Sequence, residues 1–217
     1  LSPDGNFVAW SNGKDFFIVE FAGSNLRNLT NEEAENVSWG LADFIASEEF
    51  GRMHGYWWSP DSDSLIVESV NDAEVQTWWI SDPATPAKTP QEIQYPAAGT
   101  KNAKVGLEKI SISGAREAIR WDVDAFEYLI SVSWQKDCNA LITVADRAQQ
   151  QFVTYSAGTS GLENVHEVAD HEFVEVIPGQ PRWHNGQIIS VVDNRQSDTR
   201  ELQLAGKAMS PAGLQIM

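Results

Sequence analysis

One pattern constrains this chain more than any other. A polar turn followed at once by a short apolar strand recurs along its length. Ser2-Pro3-Asp4-Gly5-Asn6-Phe7-Val8-Ala9 is echoed by Trp58-Ser59-Pro60-Asp61-Ser62-Asp63-Ser64-Leu65-Ile66-Val67. Looser copies are Trp134-Gln135-Lys136-Asp137-Cys138-Asn139-Ala140-Leu141-Ile142 and Trp183-His184-Asn185-Gly186-Gln187-Ile188-Ile189. Each copy is followed by a candidate return strand: Phe16 to Val19, Thr77 to Ile80, Phe152 to Tyr155 and Leu202 to Leu204. Short runs rich in Val, Ile, Phe and Trp, bounded by Gly, Pro, Asn and Asp, read as strands joined by tight turns. A single meander cannot cover its own apolar faces, so such units must stack on one another. Repeats of about 40–50 residues with four strands each are the blades of a propeller. The expected fold is therefore all-β, a propeller fragment of about four blades or partial blades spanning residues 1–217. An incomplete arc is expected to self-associate unless a partner covers its open faces.

Composition supports a packed core and excludes several functions. Hydrophobic residues make up 42% and charged residues 21% of the 217 residues, which is the range of an ordinary globular chain. The net charge of −16 disfavours nucleic acid and anionic membrane surfaces, which require a cationic footprint. It is compatible with cationic partners such as peptide amines. The lone Cys138 excludes an internal disulfide and a multi-cysteine metal site. His166 and His171 stand five apart in a strand-rich context, where the helical zinc-protease pattern needs four. No metal or cofactor is expected. No apolar run reaches the ~18 residues of a membrane span. The compartment is left open, with the cytoplasm favoured. The chain starts at Leu1 without an initiator Met and is expected to be part of a longer polypeptide.

One stretch breaks the strand pattern. Ala42 to Glu49 lacks Gly and Pro and reads as a short helix around residues 42–50, with Asp43 as N-cap and Gly51 ending the turn. It is placed between the return strand of the first unit and the first strand of the second. Glu48 and Glu49 sit at the end of that helix, where the macrodipole and their mutual repulsion disfavour negative charge. Two readings offset this. Arg52 can satisfy one carboxylate, or the pair can hold a bound cation such as a peptide α-amino group.

The same stretch resembles the double-Glu motif of the dipeptidyl peptidase IV family, serine exopeptidases of the prolyl oligopeptidase clan. The matching residues are Trp39-Gly40-Leu41-Ala42-Asp43-Phe44, Glu48-Glu49 and Gly55-Tyr56-Trp57-Trp58-Ser59-Pro60. Seven residues separate Glu49 from Trp57, a spacing similar to the dipeptidyl peptidase 8/9-like branch. Val70-Asn71-Asp72-Ala73-Glu74-Val75 resembles the segment after the family's next strand, and Tyr95-Pro96-Ala97-Ala98-Gly99-Thr100-Lys101-Asn102 its Tyr-Pro-x-Ala-Gly-x-x-Asn signature. Ala103 departs from the Pro with which the family continues.

The resemblance implies a propeller that caps an α/β-hydrolase domain and gates access to it. It implies that Glu48 and Glu49 bind the free N-terminus of a peptide, so that Xaa-Pro or Xaa-Ala dipeptides are released. The family's propeller Arg that contacts a substrate carbonyl would precede Leu1, so no residue here takes that role. The catalytic Ser, Asp and His are expected downstream; Gly158-Thr159-Ser160-Gly161 does not fit a Gly-x-Ser-x-Gly elbow. This segment alone is thus expected to be inactive. Expected partners are the peptide substrate and the hydrolase domain of the same polypeptide, with homodimerisation of the parent open. Two rivals stand beside this reading: a propeller interaction module without a peptidase, and a tripeptidyl peptidase of the same clan.

Overall fold

A strand with apolar residues on both faces can bury them only if another sheet lies on each side. The structure, a computed structural model, describes residues 1–216 and meets this demand by stacking; Met217 lies outside the described residues. Four antiparallel sheets follow one another in chain order. The first holds β1 (Phe7–Ser11), β2 (Phe16–Glu20) and β3 (Arg27–Asn28). The second holds β4 (Val37–Trp39), β5 (Tyr56–Trp58), β6 (Ser64–Asn71), β9 (Lys104–Ser111) and β10 (Arg116–Ile119); helix α1 (Phe44–Glu49) lies between β4 and β5, and a hairpin of β7 (Thr77–Ile80) and β8 (Gln91–Gln94) between β6 and β9. The third is the meander β11 (Tyr128–Ser133), β12 (Ala140–Ala145), β13 (Gln151–Gly158) and β14 (Gly161–Ala169). The fourth is β15 (Arg182–His184), β16 (Gln187–Asn194), β17 (Thr199–Leu204) and β18 (Lys207–Ala208). The sheets do not close into a barrel.

The alternation of β6 shows how the sheets are glued. Leu65 and Val67 turn to one side, into a cluster with Ala9, Phe16, Ile18 and Leu29 of the first sheet. Ile66 turns to the other side, against Leu129, Ile142, Val144 and Val153 of the third. Each such fully buried side chain contributes about 1.5–3 kcal/mol. The repeated turns add specific links. The hydroxyls of Ser2 and Ser59 accept the N–H groups of Phe7 and Ser64, at 2.9 and 3.1 Å. Their carbonyls accept from Gly5 and Ser62, both at 3.0 Å. The two turns then touch, because the Asp4 N–H donates to Ser62 Oγ at 3.0 Å. In the third copy Gln135 exchanges two hydrogen bonds with the Trp183 backbone, tying the third sheet to the fourth.

Two sequence expectations need correction. The helical stretch is not placed between units; it interrupts the first strand of the second sheet. Both β4 and β5 pair with β6, Trp39 lying opposite Ser69 and Tyr56 opposite Val67. Residues 40–55 leave the ladder and return to it with only Glu68 between the two registers. The gap is closed by backbone bonds: Gly40 N–H to the Glu68 carbonyl (2.8 Å), Glu68 N–H to the Gly55 carbonyl (2.7 Å) and Gly55 N–H to the Gly40 carbonyl (3.1 Å). Secondly, Thr77–Ile80 is not the return strand of its sheet. It pairs with β8 in a separate hairpin, while β9 takes the place beside β6. Trp78 and Trp79 are accordingly exposed, Trp79 by 65%, rather than part of the core. The other three return strands pair as expected.

A cavity of about 80 Å³ separates the third and fourth sheets, lined by Phe152, His166, Val174, Gln180, Ser190 and Val192 among others. Burial there holds the His166 imidazole below its ordinary pKa of 6.5.

Two outcomes follow. A Cβ at Gly55 would lie 2.5 Å from the Leu41 carbonyl oxygen and 2.9 Å from Glu68 Cβ. Gly55→Ala is therefore expected to lower stability in urea unfolding, although Ala substitution at a compatible site gains about 0.4–1 kcal/mol. For His166, the unfolded chain takes up a proton near pH 6.5 that the folded chain resists, so this residue makes stability fall as pH drops below 6.5. His166→Gln is expected to reduce the loss of stability between pH 7.5 and 5.5, read by unfolding at both values.

Candidate functional site

Helix α1 is too short to persist alone, so its ends must be held. Asp43 caps the start: its Oδ1 accepts the N–H groups of Ile45 (2.9 Å) and Ala46 (3.2 Å). At the other end the Ala46 carbonyl accepts from Phe50 N–H (3.2 Å) and Arg52 N–H (3.0 Å). Gly51 lies between them at φ +63°, the left-handed conformation that ends a helix. Ala46 is buried, and Ile45 and Phe50 pack on the Tyr128, Ile130 and Phe152 cluster of the third sheet. Phe50 meets the Tyr128 ring edge-on at 5.9 Å. The helix thus hangs from the second sheet and rests on the third.

Arg52 is the centre of this arrangement. It is 8% exposed, and its guanidinium reaches five groups. Nη1 donates to a Glu68 carboxylate oxygen and to the His54 carbonyl (3.0 Å). Nη2 donates to the other Glu68 oxygen (3.1 Å) and to the Leu129 carbonyl (3.0 Å). Asp43 Oδ2 stands 3.8 Å away, and the cation lies 5.5 Å from the Trp57 ring centre. Glu68 has no exposed surface. Burial pushes its carboxyl up, to about 7, against the pull of Arg52. Burial likewise raises Asp43, and it lowers His54 with help from Arg52.

Arg52 is consequently not the partner of the glutamate pair. Glu48 and Glu49 are both exposed at the C-terminal end of α1, whose last turn carries no basic residue. None of the ion pairs among the described residues includes either of them. Of the two readings of the pair, self-neutralisation by Arg52 is removed.

The Tyr95–Asn102 stretch arrives at the same place. Tyr95 meets Phe44, the first residue of α1, edge-on at 5.2 Å. Asn102 Nδ2 donates to Glu127 (3.0 Å) and to the Tyr128 hydroxyl (3.2 Å). The turn between holds Gly99 at φ +81°, and Arg147 donates to the Thr100 carbonyl at 2.5 Å. The histidines are dispersed. His184 is exposed beside the Asn185-Gly186 turn, His54 lies edge-on to Tyr56, and His166 lies in β14 with His171 beyond its end. No group of three or more His, Cys, Asp or Glu that could hold a metal occurs among the described residues.

Residues 1–201 match the family model of the dipeptidyl peptidase IV N-terminal region. The chain belongs to that family. Among relatives of the dipeptidyl peptidase IV N-terminal region, human (Homo sapiens) dipeptidyl peptidase 8 is 28% identical over 125 residues, covering 50% of this chain and 14% of that protein. Venom dipeptidyl peptidase 4 of Apis mellifera is 27% identical over 206 residues, covering 87% of this chain and 26% of that protein. The crystal structure of Porphyromonas gingivalis dipeptidyl peptidase 4 superposes with a TM-score of 0.84 at 20% identity, over 97% of this chain and 31% of that one. The fold is that of the family's propeller fragment. The chain spans about a quarter or less of the length of these two curated relatives.

The Arg52–Glu68 pair escaped the sequence reading, though a signal was present. Glu68 interrupts Leu65-Ile66-Val67-Glu68-Ser69-Val70, and a charge facing inward from a central strand requires a partner. Arg52 is the only Lys or Arg between Arg27 and Lys88.

Removing Arg52 leaves the Glu68 carboxyl buried without its counter-ion, where it must stay charged at a desolvation cost or take up a proton, and it strips the donor from two carbonyls. Arg52→Met is expected to cost about 3–5 kcal/mol in chemical denaturation. Glu48→Gln and Glu49→Gln, which each remove a charge that the helix end disfavours, are expected to leave the unfolding midpoint unchanged or slightly raised.

Proposed function

We propose that this chain is the substrate-gating propeller of an exopeptidase that removes N-terminal dipeptides, and that Glu48 and Glu49 bind the α-amino group of the substrate. The observation that carries the reading is the exposed pair of carboxylates at the C-terminal end of a pinned helix, with the nearby cation committed to Glu68. A peptide α-amino group has an ordinary pKa near 8 and is mostly protonated at pH 7. It offers three N–H donors, and two carboxylates can take them in charge-assisted bonds. Bound there, the amine completes the charge balance that the helix end lacks.

An anchored chain end also measures length. Two extended residues span about 7 Å, so an amine held at a fixed point presents its second peptide bond at a fixed distance from it. The reacting groups belong to the hydrolase domain of the same polypeptide, and the propeller contributes position rather than chemistry. Release of Xaa-Pro and Xaa-Ala units is the specificity proposed. The membership in the dipeptidyl peptidase IV N-terminal region supports this reading, as do the names of the relatives.

A second reading, a propeller that only docks other proteins, draws on the exposed Trp78-Trp79-Ile80 edge of the β7–β8 hairpin. The kinetics of the full-length protein separate the two. Loss of a hydrogen bond to a charged group costs about 10- to 100-fold in affinity. Glu49→Gln in the full-length protein is expected to raise KM for a Xaa-Pro substrate by a factor in this range. Unchanged kinetics would remove the pair from the binding site. Product analysis on a longer peptide with a free N-terminus is expected to show dipeptides; tripeptides would favour the rival of the same clan.

A further inference from the structure

Arg52 contacts several of the structures that determine where α1 can be. It stands 3.8 Å from the Asp43 carboxylate that caps the helix start. Its own backbone N–H closes the helix end on Ala46 at 3.0 Å. Its side chain holds the carbonyl of His54, where the insertion re-enters the sheet. It pairs through both terminal nitrogens with Glu68, the one residue of β6 that faces the gap between the two registers. It donates to Leu129 at 3.0 Å, in the neighbouring sheet. The start of a helix of six residues, the junction at His54, the strand beneath it and the sheet beside it are thus referred to one planar cation, and the helix end to the backbone of the same residue.

This is more than a core needs. Glu68 faces the third sheet on the same side of β6 as Ile66, where apolar contacts already glue the two sheets. An apolar residue there would bury its surface without the desolvation of two ions, and buried ion pairs replaced by apolar groups are often neutral or stabilising. A hydrocarbon contact, however, has no direction. A bidentate guanidinium–carboxylate pair fixes distance, plane and rotation together.

We propose that Arg52 and Glu68 are positioning residues for amine recognition: the pair sets the height and orientation of α1, and so the point at which Glu48 and Glu49 hold the substrate amine. This inference rests on the reading of Glu48 and Glu49 above. Arg52 acts through the helix and does not touch the substrate.

The test compares four variants of the full-length protein, Arg52→Met, the apolar pair Arg52→Met/Glu68→Leu, Glu68→Gln and Glu49→Gln, by thermal unfolding midpoint and by KM and kcat on a Xaa-Pro amide. The apolar pair is expected to unfold at a higher midpoint than Arg52→Met, because both ions are removed together, although the His54 and Leu129 carbonyls lose a donor and Asp43 a nearby cation. Its KM is nevertheless expected to rise about tenfold or more, with kcat within about threefold, as it does for Glu49→Gln. Recovery of both stability and KM in the apolar pair, alongside a raised KM in Glu49→Gln, would overturn the positioning role and leave the amine site intact. Unchanged KM in Glu49→Gln would overturn the amine site, and the positioning role with it. If the apolar pair does not fold, Glu68→Gln, which keeps the shape and one hydrogen bond to Arg52 but removes the counter-charge, is compared at a temperature below its own midpoint: a KM raised about tenfold or more supports the positioning role, and an unchanged KM beside a raised KM in Glu49→Gln overturns it.

Discussion

The structure around the inserted helix depends on a charge placed where a β-strand would ordinarily carry a methyl group. Glu68 lies in the middle of β6, between the residues that pair with β5 and those that pair with β4. Its backbone N–H and carbonyl are taken by Gly55 and Gly40. Its side chain, with no exposed surface, has Arg52 as its counter-ion. An unpaired carboxylate in that place would cost several kcal/mol. The insertion therefore cannot drift from the sheet without stranding an ion. The sheet in turn cannot lose the insertion without the same penalty, and the two are locked together.

Elsewhere the fold rests on less specific forces. The sheets are held mainly by interleaved aliphatic side chains, with Leu65 and Val67 facing one neighbour and Ile66 the other. Such contacts set the spacing of sheets but tolerate sliding. The turn-to-turn bonds, Asp4 to Ser62 and Gln135 to Trp183, remove part of that freedom by tying the same end of consecutive units. A cavity of about 80 Å³ remains between the third and fourth sheets.

Much of this was legible in the residues. The short apolar runs Leu65-Ile66-Val67 and Leu141-Ile142, together with the Ser-Pro-Asp turns, were enough for stacked antiparallel units, because strand composition and turn chemistry are local. Asp43 and Gly51 bounded the helix for the same reason. What the residues hid was long-range. Thr77–Ile80 has the composition of a sheet strand, yet the true neighbour of β6 begins at Lys104, beyond a hairpin of its own. Arg52 lies three positions from Glu49, and that proximity along the chain suggested a local pair. The burial of Glu68, sixteen positions away, outweighed it. The desolvation of an interior carboxylate demands a partner more strongly than two solvated ones do.

The split of the first strand has a consequence for how such a scaffold can change. Trp39 and Tyr56 rejoin the same ladder on either side of one residue, so the pairing of β6 takes no account of how many residues are spent in between. Residues 40–55 behave as a cassette slotted into a frame. Lengthening or shortening the cassette moves its tip while the frame keeps its register, provided the Gly40 and Gly55 junctions and the ionic latch are retained. Under the amine-binding role proposed for Glu48 and Glu49, the place of that pair can in this way be shifted by insertion and deletion alone, without a single substitution in the core that supports it.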